Sequence, residues 1–143
     1  MPPELVFPFF EDPRNLYEIT PDWLDFRMSD PDQAAAFERA EFGYTIRWLG
    51  IRIRWRSRIT DYRPPERFTD IQLIGPYRSW HHLHTFERIP EGTLMKDEVT
   101  YELPFGAGLL HSVVIAPQLR AIFLFRARRV AEWSAGIMVR KAP

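Results

Sequence analysis

His82 and His84 stand two residues apart in Ser79–Ile89, a run whose residue character alternates. In an extended chain residues two apart point to the same side, so Trp80, His82, His84 and Phe86 share one face. The next run, Thr93–Leu103, places Met95, Asp97, Val99 and Tyr101 on a common face. Glu91-Gly92 between the runs reads as a hairpin turn. A register that sets His84 opposite Asp97 also sets Trp80 opposite Tyr101. A histidine beside a carboxylate can accept and return a proton near neutral pH. His84, Asp97 and Tyr101 are therefore the candidate catalytic residues. His82, His84 and Asp97 also have the ligand types of a Zn or Fe site. Aromatic-rich alternating strands produce that spacing often, so no metal or other cofactor is expected.

Further polar residues fall toward the same side. If Phe68 points inward, Asp70 and Gln72 do as well. On a helical wheel Arg126 shares a face with Leu119, Ile122, Phe123, Val130, Trp133 and Ile137. A buried charge is costly unless paired, which predicts an ion pair of Arg126 with Asp97 or Asp70. Such a cluster either ties helix to sheet or forms the polar end of an apolar cavity. In the second case Trp55, Asp70, Gln72, Trp80, His82, His84, Tyr101, Phe123 and Arg126 would contact the ligand. His81 points outward, and His111 carries no assigned role. Arg52, Arg54, Arg56 and Arg58 form a ladder that reads as a solvated outer face relieved by neighbouring acids. No phosphate loop, nucleophile elbow or zinc-protease motif is present, which argues against nucleophilic hydrolysis.

The elements that would position these residues follow from pattern and punctuation. Glu4–Phe10 reads as a short helix shortened or kinked by Pro8. Asp12-Pro13 caps a second short helix that runs through Ile19. Trp23–Met28 reads as extended, and Ser29–Glu41 gives no firm pattern. Tyr44, Ile46 and Trp48, then Ile51, Ile53, Trp55, Ser57 and Ile59, form a hairpin about Leu49-Gly50. Phe68–Ile74, Ser79–Ile89 and Thr93–Leu103 continue as strands. A long amphipathic helix spans roughly Gln118–Val139. Two short helices, a run of antiparallel strands and one long helix imply an α+β fold, with the last helix across a curved sheet.

The 143 residues suggest one domain covering 1–143. Lys+Arg and Asp+Glu are 19 each, so bulk charge does not favour nucleic acid or anionic membrane. No uninterrupted apolar run reaches the length of a membrane span. Cysteine is absent, which excludes disulfides and thiolate chemistry and fits a cytoplasmic location. Aromatics make up 15%, which implies an aromatic core or a large apolar pocket.

The order of elements and a dense set of motifs resemble the START-like superfamily with the helix-grip fold, also called SRPBCC. The motifs are Val6-Phe7-Pro8-Phe9-Phe10 with Asp12-Pro13-Arg14-Asn15-Leu16, then Ile19-Thr20-Pro21 and Gly50 through Trp55. They continue with Phe68-x-Asp70-x-Gln72-x-x-Gly75-Pro76-Tyr77, Trp80-x-His82-x-His84-x-Phe86, Gly92-Thr93-x-Met95-x-Asp97-x-Val99-x-Tyr101, Pro104-Phe105-Gly106 and Phe123-x-x-Arg126. The likeness is greatest to small bacterial members described as polyketide cyclase/dehydrase-like or ligand-binding. It implies a deep cavity between sheet and helix for a hydrophobic or amphipathic small molecule, in a carrier, a sensor or an enzyme.

One departure concerns the start of the fold. Members usually open with a strand, whereas Met1 lies almost directly before the first helix. The first strand is thus expected to be missing, through truncation or because another chain supplies the pairing. The sheet should have open edges, with an exposed edge or homo-oligomeric pairing near residues 93–102. Three functions follow: a carrier or sensor, a cyclase, dehydratase or isomerase acting on a polyketide-like or aromatic compound through His84, Asp97 and Tyr101, or an interaction module working through the open edge.

Overall fold

The computed structural model describes residues 1–29 and 35–141, with side chains through Gly136. Part of Ser29–Glu41, and the Ile137 side chain, lie outside the described residues. The chain opens with helix α1 (Pro3–Glu11), a 3-10 turn (Pro13–Asn15), helix α2 (Leu16–Ile19) and a second 3-10 turn (Asp22–Leu24). Six strands follow: β1 (Arg27–Met28), β2 (Glu41–Trp48), β3 (Ile51–Arg63), β4 (Arg67–Ile74), β5 (Ser79–Ile89) and β6 (Gly92–Glu102). A short turn of helix α3 (Gly108–Leu110) and a π-helical stretch (His111–Ile115) lead into helix α4 (Ala116–Lys141).

Local chemistry accounts for most boundaries. Pro3 opens α1, where a missing N–H costs nothing. Pro8 lies inside α1 and removes one helical donor, but the helix continues to Glu11, so it is not cut short. Asp12 caps the next turn, accepting from the Arg14 N–H at 2.9 Å. Trp23–Met28 is not one extended segment. After Pro21 the chain makes the 3-10 turn, and Asp25 closes it at φ 44°. Aspartate tolerates this left-handed conformation, and only Arg27 and Met28 remain to pair with Thr45 and Tyr44. Leu49 (φ 49°) and Gly50 (φ 80°) form the two-residue hairpin turn between β2 and β3.

The sheet is an antiparallel meander in the order β1-β2-β3-β4-β5-β6. It is open: β1 pairs only with β2 and β6 only with β5 among the described residues. The outer edge of β6 therefore has no strand partner there. At its start the Thr93 hydroxyl donates to the Met1 carbonyl at 2.7 Å.

Two apolar clusters fill the concave side. Val6 and Phe7 of α1 pack with Phe42, Ile59, Phe68 and Phe86. Phe7 is 1% exposed and meets the Phe68 and Phe86 rings edge-on at 5.8 and 5.1 Å. The second cluster joins Ile46, Trp55, Tyr77 and Trp80 to Ile115 at the approach to α4. On the convex side the arginine ladder is largely matched by acids. Asp25 pairs with Arg27, Arg47 and Arg52, and Glu41 pairs with Arg56 and Arg58. Ile51 is exposed rather than part of the apolar face, because it sits beside the hairpin turn.

Helix α4 is held at both ends. Ile115 is buried at its approach. Further along, Trp133 packs on Phe9 at 4.2 Å between ring centres. Arg129 bonds the Glu18 carbonyl at 3.0 Å and its carboxylate at 3.2 Å. Between these anchors Leu119, Ile122, Phe123 and Arg126 face a cavity over the sheet. Residues Gly108–Gly136 form a helix long and apolar enough to cross a membrane by length and composition. Uninterrupted apolar runs do not reveal this, because His111, Gln118 and Arg120 break the run without lowering the mean enough. Here its inward face covers the cavity, while Val113 and Leu124 are exposed.

Two substitutions separate the core from the surface clamp. Phe7→Ala should destabilise the fold by about 3–5 kcal/mol. Arg129→Ala removes largely exposed ion pairs and should cost about 1 kcal/mol or less. Denaturant unfolding of both variants checks the contrast.

Candidate functional site

The β5–β6 hairpin sets the register on which the site depends. His84 opposes Asp97 and Trp80 opposes Tyr101. On the other side of β5, Asp70 opposes His82 and Phe68 opposes His84. Three neighbouring strands thus deliver two carboxylates and two imidazoles to one place on the concave face.

These four groups form a closed ring of contacts. His82 Nε2 lies 2.8 Å from Asp97 Oδ1, and His82 Nδ1 lies 3.2 Å from Asp70 Oδ2. His84 Nε2 lies 3.1 Å from Asp70 Oδ2, and His84 Nδ1 lies 3.0 Å from Asp97 Oδ1. The two Nε2 contacts are hydrogen bonds, whereas the two Nδ1 contacts are short in distance without one. Both histidines are buried, and their ring centres are 3.8 Å apart. Phe68 stacks on His84 at 4.3 Å, and Phe123 meets His82 edge-on at 5.3 Å.

Burial disfavours the charged forms of Asp70, Asp97 and His82, but proximity outweighs it. The charges and hydrogen bonds of His82 and His84 hold the Asp70 carboxyl well below the usual carboxylate range. Asp97 is held low against burial by the hydrogen bond from His82 and the closeness of His84. Burial pushes His82 down, yet Asp70, with Asp97, raises it above its ordinary value.

The ring borders a cavity of about 160 Å³ beneath α4. Asp70, His82, His84 and Arg126 contribute polar groups to its wall, and Glu11, Asp12, Asn15, Thr20, Tyr44 and Ser57 add others. Phe9, Phe26, Trp55, Trp80, Leu119, Ile122 and Phe123 contribute much of its apolar wall. The Arg126 guanidinium lies 5.3 Å from the Phe123 ring centre. Its Nε is buried without a hydrogen-bond partner among the described residues.

Trp55, Asp70, Trp80, His82, His84, Phe123 and Arg126 all line this cavity. Gln72 and Tyr101 do not. Gln72 is drawn into the β4–β5 turn, where its amide donates to the Tyr77 carbonyl at 2.7 Å. Tyr101 lies on the edge strand with its hydroxyl 2.8 Å from His111 Nε2. Asp97 contacts both histidines but is not part of the cavity wall. The expected ion pair of Arg126 with Asp97 or Asp70 is not formed, because both carboxylates are engaged by the histidines. Tyr44 and Ser57 were not singled out as site residues, yet both line the cavity. Burial raises the Tyr44 hydroxyl well above its usual value, reinforced by Asp70. Its inward place was readable from the alternation of Tyr44 with Ile46 and Trp48, and that of Ser57 from its place between Trp55 and Ile59.

The shifts have a defined pH consequence. Asp70 and Asp97 are held low, so their stabilisation is full above the unfolded carboxyl value near 3.9. It is lost as pH falls toward their folded values. His82 is raised, so its contribution is full below the unfolded value near 6.5 and fades as pH rises through the folded one. Unfolding free energy should therefore peak in weakly acidic solution, and Asp97→Asn should flatten both limbs. Denaturant midpoints measured from about pH 3 to 9 test this.

Residues 1–123 match the protein family described as "Polyketide cyclase / dehydrase and lipid transport". No curated protein matches the chain. Similar solved structures include CV1439 from Chromobacterium violaceum, with TM-score 0.69, 16% identity and coverage of 92% of this chain and 88% of that one. TTHA0849 from Thermus thermophilus has TM-score 0.63, 20% identity and coverage of 93% and 92%. Ms6760 from Mycobacterium smegmatis has TM-score 0.61, 17% identity and coverage of 97% and 85%. At such identities the likeness is one of fold, a curved antiparallel sheet with a long C-terminal helix. With the family match over most of its length, the chain belongs to the polyketide cyclase / dehydrase and lipid transport family, in the helix-grip fold of the START-like (SRPBCC) proteins.

Proposed function

We propose that this protein binds one hydrophobic or amphipathic small molecule between sheet and helix, as a carrier or sensor. The observation that carries this reading is the cavity itself. Its wall is largely aromatic and aliphatic, and its polar groups include the buried set of Asp70, His82 and His84 with Arg126 beside it. Apolar pockets with a few convergent polar groups suit ligands that need one end oriented. Arg126 is the group available for that task, since the two acids are occupied by histidines. A cytoplasmic location fits a chain without cysteine.

The geometry supports acid–base catalysis by His84, Asp97 and Tyr101 less well. Tyr101 is turned to His111 and stands apart from the cavity wall. Asp97 contacts the two histidine rings and is not on that wall either.

A neutral fluorescent probe, N-phenyl-1-naphthylamine, should bind one per chain, and native mass spectrometry should retain it. Ile122→Trp, which fills the cavity, should weaken uptake by about ten-fold or more. Decanoate should displace the probe better than 1-decanol, and Arg126→Gln should remove most of that preference. A charge-assisted hydrogen bond of the usual strength corresponds to a preference of about ten-fold or more. Failure of the wild-type protein to take up either the probe or the amphiphiles would overturn the reading.

A further inference from the structure

We propose that Asp70, His82 and His84 form a site for one divalent first-row transition-metal ion, with Asp97 acting from behind the two rings. This goes beyond the cavity reading and does not depend on it. One donor atom from each of the three residues lies within 4.8 Å of the others. Asp70 Oδ2 stands 3.2 Å from His82 Nδ1 and 3.1 Å from His84 Nε2. An ion bound at about 2.0–2.2 Å with tetrahedral or octahedral angles spaces adjacent donors by about 2.8–3.6 Å. The spacing to the carboxylate is thus that of a coordination edge.

The opposite nitrogens strengthen the assignment. His82 Nε2 and His84 Nδ1 converge on a single oxygen, Asp97 Oδ1, at 2.8 and 3.0 Å. Metal-binding histidines regularly give their second N–H to a carboxylate, which fixes tautomer and ring orientation. Asp97 stands hydrogen-bonded to His82 Nε2 in this way, and its oxygen lies 3.0 Å from His84 Nδ1 without an aligned hydrogen bond. With His82 Nε2–H donating to Asp97, the Nδ1 lone pair faces the Asp70 carboxylate, and a proton or a cation must lie between them. Two protonated rings would set two positive charges 3.8 Å apart, centre to centre. One divalent ion serves both rings and balances both carboxylates.

The ion would also be accessible. Asp70, His82 and His84 border the cavity and Asp97 does not, which distinguishes the Asp70 side as the coordinating one. A histidine pair with one carboxylate and an open side is a ligand set suited to Zn²⁺ and its first-row neighbours. The third ligand is thus Asp70, in place of the Asp97 that the strand pattern suggested.

The test uses the full chain, free of any affinity tag, stripped of metal and titrated with Zn²⁺ and Co²⁺ near neutral pH. One ion should bind per chain in the micromolar range or tighter, with release of protons, and Co²⁺ should give visible absorption bands. Asp70→Asn and His84→Gln should each weaken Zn²⁺ by about 100-fold or more, and Asp97→Asn by about 10–100-fold. His81→Gln, at an exposed histidine, should change nothing. Should the site variants fail to fold, imidazole NMR signals of the wild-type protein replace them: those of His82 and His84 should shift together on addition of Zn²⁺. Absence of stoichiometric uptake would overturn the proposal. So would uptake that survives both Asp70→Asn and His84→Gln, or a titration in which only His81 or His111 responds.

Discussion

Two carboxylates and two imidazoles inside an aromatic concavity are tolerable only as a mutually satisfied set. Each imidazole nitrogen lies within 3.2 Å of a carboxylate oxygen, and the set spans β4, β5 and β6. The rest of the site depends on this closure. A slip of one residue in either pairing would turn the histidines away from their acids and leave buried charge uncompensated. The ring therefore helps pin the register, in a meander whose edges are otherwise open.

The same closure leaves Arg126 facing the cavity. Had either acid paired with it, helix α4 would be drawn onto the sheet at its middle. Instead α4 is fastened at Ile115 and again near Arg129 and Trp133, and the stretch between spans the cavity. Packing at the two ends and charge satisfaction in the sheet together keep that space open. The wall around it is built from bulky rings, and rings in fixed edge-on contact hold a concave shape better than flexible aliphatic chains would. Trp55 and Trp80, perpendicular at 5.3 Å, are one such pair.

The family match and the similar solved structures show that this chain has the shared frame. Fold alone does not determine which molecule is bound. In this chain two features define the site: the placement of the two acids relative to the cavity and an arginine beside it. Asp70 faces the cavity and Asp97 stands outside its wall, which makes the two carboxylates chemically unequal although both contact the same histidines.

Much of this was legible in the chain before any tertiary structure. Alternation between Ser79 and Leu103 was enough to set His84 against Asp97 and Trp80 against Tyr101, because strand parity and one tight turn are local properties. The apolar wheel face placed Leu119, Ile122, Phe123 and Arg126 toward the sheet for the same reason. What could not be read locally was which partner each buried charge would choose. Asp70 meets the histidines across β4–β5, and both acids are thereby engaged without Arg126. Gln72 and Tyr101 had the correct parity, yet a turn carbonyl and His111 claimed their polar ends. Sequence periodicity determined which face each side chain takes. Only the tertiary structure decided which polar groups met there, because that choice depends on gaps of a few ångströms set by packing at distant points of the chain.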